Sequence, residues 1–195
     1  VAAYMLAEAA LEAGRFAQAF PSFGPERRGA PVSSFVRIAD GPIRRRCQVE
    51  HPLYVIIQDP SLLHVAGIAA GVLPEGGILV NSAKEVGTLG LSGRAKHTAS
   101  FPATSLAMQF LREPIPNTAL LAAFLSLTGL LPLWALERVL VRRFSGEALQ
   151  RNVRLMLEAS TRVGPASWNS GGEATPAPVT DQLSLHRGNG GDAGN

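Results

Sequence analysis

The segment Phe23-Gly24-Pro25-Glu26-Arg27-Arg28-Gly29-Ala30-Pro31-Val32 sets one acid and two adjacent guanidinium groups in a turn that leads straight into a strand-like run. Guanidinium forks pair bidentately with phosphates and carboxylates, which an ammonium does less well. The chemistry on offer is recognition of an anion or of an acidic partner surface, with Phe23 to Gly29 as its candidate residues. A local reading stands beside it, in which Glu26 pairs with a neighbouring arginine while Gly24, Pro25, Gly29 and Pro31 only shape the loop.

Short polar side chains recur where apolar runs stop. Asp59 and Ser61 follow Tyr54-Val55-Ile56-Ile57-Gln58, and Asn81-Ser82 follow Ile78-Leu79-Val80. Ligands gather at the carboxyl ends of strands in open α/β sheets, so these positions mark a candidate site edge. Asn117 and Thr118 precede an apolar helical run and suit either hydrogen bonding to a ligand or capping of the helix that begins at Ala119.

Other chemistries find no support in the residue pattern. His51, His64, His97 and His186 are scattered without metal-ligand spacing, and none has the context of a nucleophile's base. Tyr4, Trp134 and Trp168 form no stacking platform for bases. Cys47 is the only cysteine, so the chain forms no internal disulfide, ligates no iron-sulfur cluster by itself and has no CxxC pair. A reducing cytoplasm is the expected location, and nothing in the sequence marks Cys47 as reactive. The formal charge of +3 is small for 195 residues and the arginines lie in short groups, so charge alone does not imply nucleic acid. Arg44-Arg45-Arg46 reads as a solvated face, or as a docking patch for an acidic partner.

The elements that position these residues follow from patterning. A helix is expected over Val1 to Ala13 with a stop at Gly14, and Phe16 to Phe20 as a strand. Val32 to Ile38 and Ile43 to Val49 read as an antiparallel hairpin around Asp40-Gly41-Pro42. The runs at Tyr54 and Ile78 read as buried parallel strands joined by a helical crossover over Leu62 to Val72. Lys96 to Phe101 is a further strand, followed by helices at Ala103 to Leu111, Ala119 to Thr128, Leu133 to Phe144 and Glu147 to Glu158. Thr118 to Leu136 carries no charge and approaches the length of a membrane span, yet Gly129 and Pro132 divide it into two packed helices. From Ser160 onward Gly, Ser, Pro, Asn and Thr dominate, which predicts a disordered tail over 160–195 behind a single domain over 1–159.

Taken in order, the run Gln18 to Val32, then Asp59-Pro60-Ser61-Leu62, Val80-Asn81-Ser82 and Ile115-Pro116-Asn117-Thr118 resemble the gamma subunit of 2-oxoacid:ferredoxin oxidoreductases, the pyruvate synthase group. The resemblance spans positions 1 to 158. It implies a complex that oxidatively decarboxylates a 2-oxoacid such as pyruvate, captures the acyl group on coenzyme A and passes electrons to ferredoxin. Thiamine diphosphate, Mg and the iron-sulfur clusters would then belong to the alpha, beta and delta partners or their fused equivalents. This chain would be a non-catalytic subunit with no cofactor of its own, making assembly contacts and coenzyme A contacts through Asn81, Ser82, Asn117 and Thr118.

The fold implied is a three-layer α/β/α domain with a mixed, partly parallel sheet, in agreement with the alternation of strands and helices. Family members open with a strand and a glycine-rich segment before the first helix. This sequence opens inside that helix, so an N-terminally incomplete domain is expected. Two other readings remain: a stand-alone Rossmann-like binder of a nucleotide or coenzyme A, and the related beta subunit of indolepyruvate oxidoreductases.

Overall fold

The computed structural model describes residues 1–22, 32–45, 47–65, 67–169 and 181–187, the last of these by their backbone. The order of elements is α1 (Ala2–Glu12), β1 (Phe16–Ser22), β2 (Val32–Ala39), β3 (Tyr54–Ile57), β4 (Gly77–Asn81), β5 (His97–Phe101), α2 (Ala103–Leu111), α3 (Asn117–Thr128), α4 (Leu133–Arg143), α5 (Gly146–Thr161) and β6 (Asp181–Arg187). They form an α/β fold around one sheet of order β1-β2-β6-β3-β4-β5. β1, β2 and β6 run antiparallel in succession, while β6, β3, β4 and β5 are mutually parallel. α5 runs on to Thr161, and Ser167–Asn169 and Asp181–Arg187 also take regular structure inside the range assigned to a tail from composition.

Two expectations are corrected. β2 pairs with β1, setting Phe20 opposite Phe35 and Gln18 opposite Arg37, and no strand forms over 43–45 or 47–49. The reason is period: successive arginines give that segment no apolar face for a sheet, whereas Phe16 to Ser22 alternates beside β2. The crossover between β3 and β4 is not an α-helix either. A short 3-10 turn at Pro60–His64 gives way to turns at Gly67 and Gly71, whose φ angles of 83° and 79° stop helical propagation.

Strand alternation builds two cores. Val36, Ile38, Ile56 and Leu79 face a helical layer made by α1 to α5, whereas Val55, Ile57, Ile78 and Val80 face Leu62, Ile68, Ala69 and Leu91. The second face is thus covered by 3-10 turns and loops, among the described residues, rather than by α-helices. At the centre of the helical layer lies α3, buried along almost its whole length. It ends where Gly129 turns into the left-handed region at φ 62° and donates to the Leu125 carbonyl; α4 starts after Pro132. No helix is long and apolar enough to cross a membrane among the described residues. The arginines of α4 bind the acids of α1: Arg143 spans both carboxylate oxygens of Glu8 at 2.6 and 3.1 Å, and Arg142 meets Glu12.

Trp168 closes the amino-terminal end of the parallel strands. Tyr54, Gly77 and His97 lie side by side across β3, β4 and β5, and the indole stacks on Tyr54 at 6.0 Å and on His97 at 5.8 Å. Only glycine leaves room beneath the ring, since a Cβ at position 77 would collide with the indole carbons. Tyr54 in turn meets Phe124 of α3 edge-on at 5.3 Å. Burial, with a smaller contribution from Lys96, holds the His97 imidazole below its usual 6.5.

Gly77→Ala is therefore expected to cost about 1–3 kcal/mol in urea unfolding through overpacking. Gly87→Ala, where nothing lies within 4 Å of an added Cβ, should stay within about 0.5 kcal/mol of the parent. The lowered His97 pKa predicts that the unfolded chain binds its proton at higher pH than the native one. The His97 contribution to stability is then complete above about pH 6.5 and lost as pH falls toward the folded value. Unfolding midpoints measured from pH 7.5 down to 5 should show this loss, reduced in His97→Phe.

Candidate functional site

The carboxyl edge of β3 and β4 carries the polar residues that the strand pattern singled out, and their bonds divide them by role. Asn81, 6% exposed, uses its whole amide internally. Nδ2 donates to the Gln58 carbonyl and to Thr104 Oγ1, both at 2.8 Å, and Oδ1 accepts from the Thr104 N–H at 3.1 Å. The helix α2 opens at Pro102, which brings no capping side chain, so Asn81 caps it from a neighbouring strand. Asp59 Oδ1 accepts from the Ser61 N–H at 2.9 Å and thereby caps the 3-10 turn. Ser82 Oγ accepts from the Lys84 N–H at 3.0 Å, shaping the turn beyond β4.

Two cavities open at this edge. One of about 240 Å³ is bordered by Gln58, Asp59, Asn81, Thr104, Pro114 and Pro116. The other, about 480 Å³, is bordered by Ser61, His64, Ser82, Lys84 and Thr88 among others. Lys84 is exposed and supplies this second cavity with a cation. Sequence reading passed over it, although a lysine two residues past a strand-end serine is the signal that was available.

Asn117 and Thr118 border a third cleft, of about 510 Å³, between the start of α1, the end of α2, and the first turns of α3 and α5. The sequence allowed them to cap the helix; they do not. Asn117 is the first helical residue, Pro116 precedes it, and no side chain caps α3. Thr118 Oγ1 instead donates to Asn152 Oδ1 at 2.8 Å, and Asn152 Nδ2 donates to the Ala148 carbonyl at 3.0 Å, which ties α3 to α5. Asn152 was not foreseen, because nothing in α5 alone shows which polar residue faces inward. Asn117 is only 7% exposed, and its amide makes no hydrogen bond with a described residue. Arg151 stands on the same cleft, paired with Glu147 one turn earlier through Nε at 3.1 Å.

The expected residues are consequently not gathered in one cavity. Asn81 serves the α2 cap, Ser82 lies on the Lys84 cavity, and Asn117 and Thr118 lie on the cleft at α3, whereas Pro114 and Pro116 border the strand-edge cavity with Asn81. Phe23, Gly24, Pro25, Glu26, Arg27, Arg28 and Gly29 lie outside the described residues, as does Arg46. Arg44 and Arg45 are exposed. Among the described residues no three His, Cys, Asp or Glu side chains gather in a metal-binding group. The geometry offers hydrogen-bonding and ionic recognition of a ligand at the strand edge and at the α3 terminus.

Known proteins resemble this chain in sequence and fold. Residues 1–161 match the family model described as pyruvate ferredoxin/flavodoxin oxidoreductase. The sequence is 43% identical over 160 residues to the common subunit gamma of the pyruvate/ketoisovalerate oxidoreductases of Pyrococcus furiosus, covering 81% of this chain and 86% of that one. It is also 43% identical over 151 residues to pyruvate synthase subunit PorC of Methanothermobacter marburgensis, covering 77% and 82%. The crystal structure of the pyruvate oxidoreductase subunit PORC from Thermotoga maritima is similar at a TM-score of 0.70 and 36% identity, covering 82% of this chain and 86% of that one.

The division between spent and unspent amides is testable. Asn81→Ala strands the Thr104 N–H and the Gln58 carbonyl and should lower the unfolding free energy by about 1–3 kcal/mol. Asn117→Ala removes no hydrogen bond to a described residue and is expected to cost less than Asn81→Ala in the same urea titration. An equal loss for both would make Asn117 a structural residue.

Proposed function

The chain belongs to the pyruvate ferredoxin/flavodoxin oxidoreductase family, and from that footing we propose that it is the gamma subunit of a complex that converts a 2-oxoacid, with coenzyme A and ferredoxin, to the acyl thioester. The observation that carries this reading is the continuous family match over residues 1–161, joined to relatives named as gamma subunits. The carbon chemistry and the electron path lie in the alpha, beta and delta partners, which hold thiamine diphosphate, Mg and the iron-sulfur clusters. The cytoplasm is the compartment proposed for the assembly.

Within it, this chain contributes contacts rather than reacting groups. Arg27 and Arg28 form ionic contacts with carboxylates of a partner subunit ahead of any contact with coenzyme A. Coenzyme A carries phosphates, amide groups and an adenine, and the Lys84 cavity and the α3 cleft supply complementary partners. Lys84, with the hydroxyls of Ser82 and Ser61 around it, offers a cation and donors for a phosphate, while Thr88 Oγ1 already donates to the Glu85 carbonyl. The amide of Asn117, without a hydrogen bond to a described residue, offers a donor and an acceptor for an amide or a base edge. Asn81 and Thr118 act one step back, by holding the start of α2 and the α3–α5 seam that shape these clefts.

The complex purified with Lys84→Ala or Asn117→Ala should show KM for coenzyme A raised about tenfold, the loss of one polar contact, with KM for the 2-oxoacid unchanged. Unchanged KM for coenzyme A in both variants would restrict the chain to assembly. Arg27→Ala with Arg28→Ala should release this subunit from its partners in size-exclusion chromatography. Co-purification of the parent chain alone, as a stable monomer that binds a nucleotide, would favour a stand-alone binding module instead.

A further inference from the structure

Among the described residues, a buried cation sits on the sheet with no charge to balance it. Arg37 of β2 is 6% exposed and lies between Val36 and Ile38, which face the helices, so its side chain occupies the opposite face. Its guanidinium carbon lies 5.4 Å from the centre of the Phe20 ring. Nη2 donates to the Gln48 carbonyl at 3.2 Å, while Nε and Nη1 are buried without a hydrogen-bond partner. Gln18, directly opposite in the ladder, leaves Oε1 buried and equally unpartnered, and as a neutral amide it brings no balancing charge. No carboxylate pairs with Arg37 among the described residues, and an uncompensated buried charge is costly.

Among the described residues, the ionisable group in contact with this cation is Cys47. Its Sγ lies 3.6 Å from Arg37 Nη2, and the residue is exposed to solvent. The neighbouring Gln48 ties the same segment to the end of β1 through Nε2, which donates to Ser22 Oγ at 2.7 Å. A cysteine exposed to solvent thus sets its sulfur against a buried guanidinium whose Nε and Nη1 have no hydrogen-bond partner. The contact is invisible in sequence order and depends on β2 being covered by the irregular segment that follows it.

We propose that Cys47 is an oxidation site for hydroperoxides, with Arg37 receiving the oxygen that oxidation adds. The thiolate sulfur attacks one peroxide oxygen; the S–O bond forms as the O–O bond breaks, and sulfur loses two electrons. With hydrogen peroxide, the second oxygen leaves as hydroxide and takes up the one proton lost by the thiol, giving Cys–SOH and water from Cys–SH and the peroxide. The ionised sulfenate then places a negative oxygen beside the guanidinium and supplies the acceptor and charge that Arg37 lacks. Since Cys47 is the only cysteine, no internal disulfide removes the product. The oxidised form persists on this chain until a thiol from solution reduces it.

The test uses the chain within its purified complex, treated with one equivalent of hydrogen peroxide in the presence of dimedone and read by peptide mass. A dimedone adduct is expected on Cys47, absent in Cys47→Ser and about tenfold weaker in Arg37→Gln, the loss of one charge-assisted hydrogen bond. No adduct on Cys47, or an equal yield in Arg37→Gln, overturns the proposal. Thermal unfolding supplies a measurement that needs no change at Arg37. Peroxide should raise the Tm of the parent by about 2–4 °C and leave Cys47→Ser unmoved, whereas no rise in the parent overturns the role given to Arg37.

Discussion

Helix α3 has no face that it can show to water, and the rest of the helical layer is arranged around that fact. From Thr118 to Leu125 every residue is buried, so α1, α2, α4 and α5 must enclose it on the sides that the sheet does not. Its polar side chains are accommodated singly. Thr118 is bonded to Asn152 of α5, and Thr128 donates back to the Phe124 carbonyl while accepting from the Leu130 N–H. Phe124 passes the constraint to the sheet through Tyr54, and Tyr54 passes it to Trp168. The ion pairs between α1 and α4 lie on the outside of this arrangement, where solvent screening leaves them a minor share.

The same enclosure sets the candidate site. Because α3 enters the core at Asn117, its first turn ends at the protein surface beside α5, and a cleft remains there. Because the parallel strands end against the start of α2, Asn81 is drawn into capping and only the residues beyond it are left for a ligand. A polar residue at a strand end is thus either spent on the fold or available to a ligand, and the hydrogen-bond partners decide which. Thr104, Asn152 and Lys84 belong to the candidate site as much as the residues that the motif pattern marked.

The parts legible in the sequence were those governed by local stereochemistry. Gly129 and Pro132 ended and started helices at the expected places, and the apolar runs at Tyr54 and Ile78 became adjacent parallel strands. The parts misread involved a choice between local options. Val32 to Ala39 had two possible neighbours, and the alternating residues of β1 offered it an apolar face that the arginine run could not. Over Leu62 to Val72 the composition suited a helix, but two glycines with positive φ cost little as turns and much as helix interior. The pattern around Gln18 to Val32 carried the family resemblance without any account of what its arginines touch.

By itself the sequence determined the element types, the division of one long uncharged stretch into two helices, and membership in a family, because backbone preferences and residue order are written along the chain. Which polar side chains bond to one another among the described residues was decided only by the tertiary structure. Asn81 meets Thr104, Thr118 meets Asn152 and Arg37 meets Cys47 across gaps in the chain that no local preference spans. The physical reason is that desolvation is a property of the packed whole. A side chain loses water when other elements cover it, and the sequence around it does not say which elements those will be.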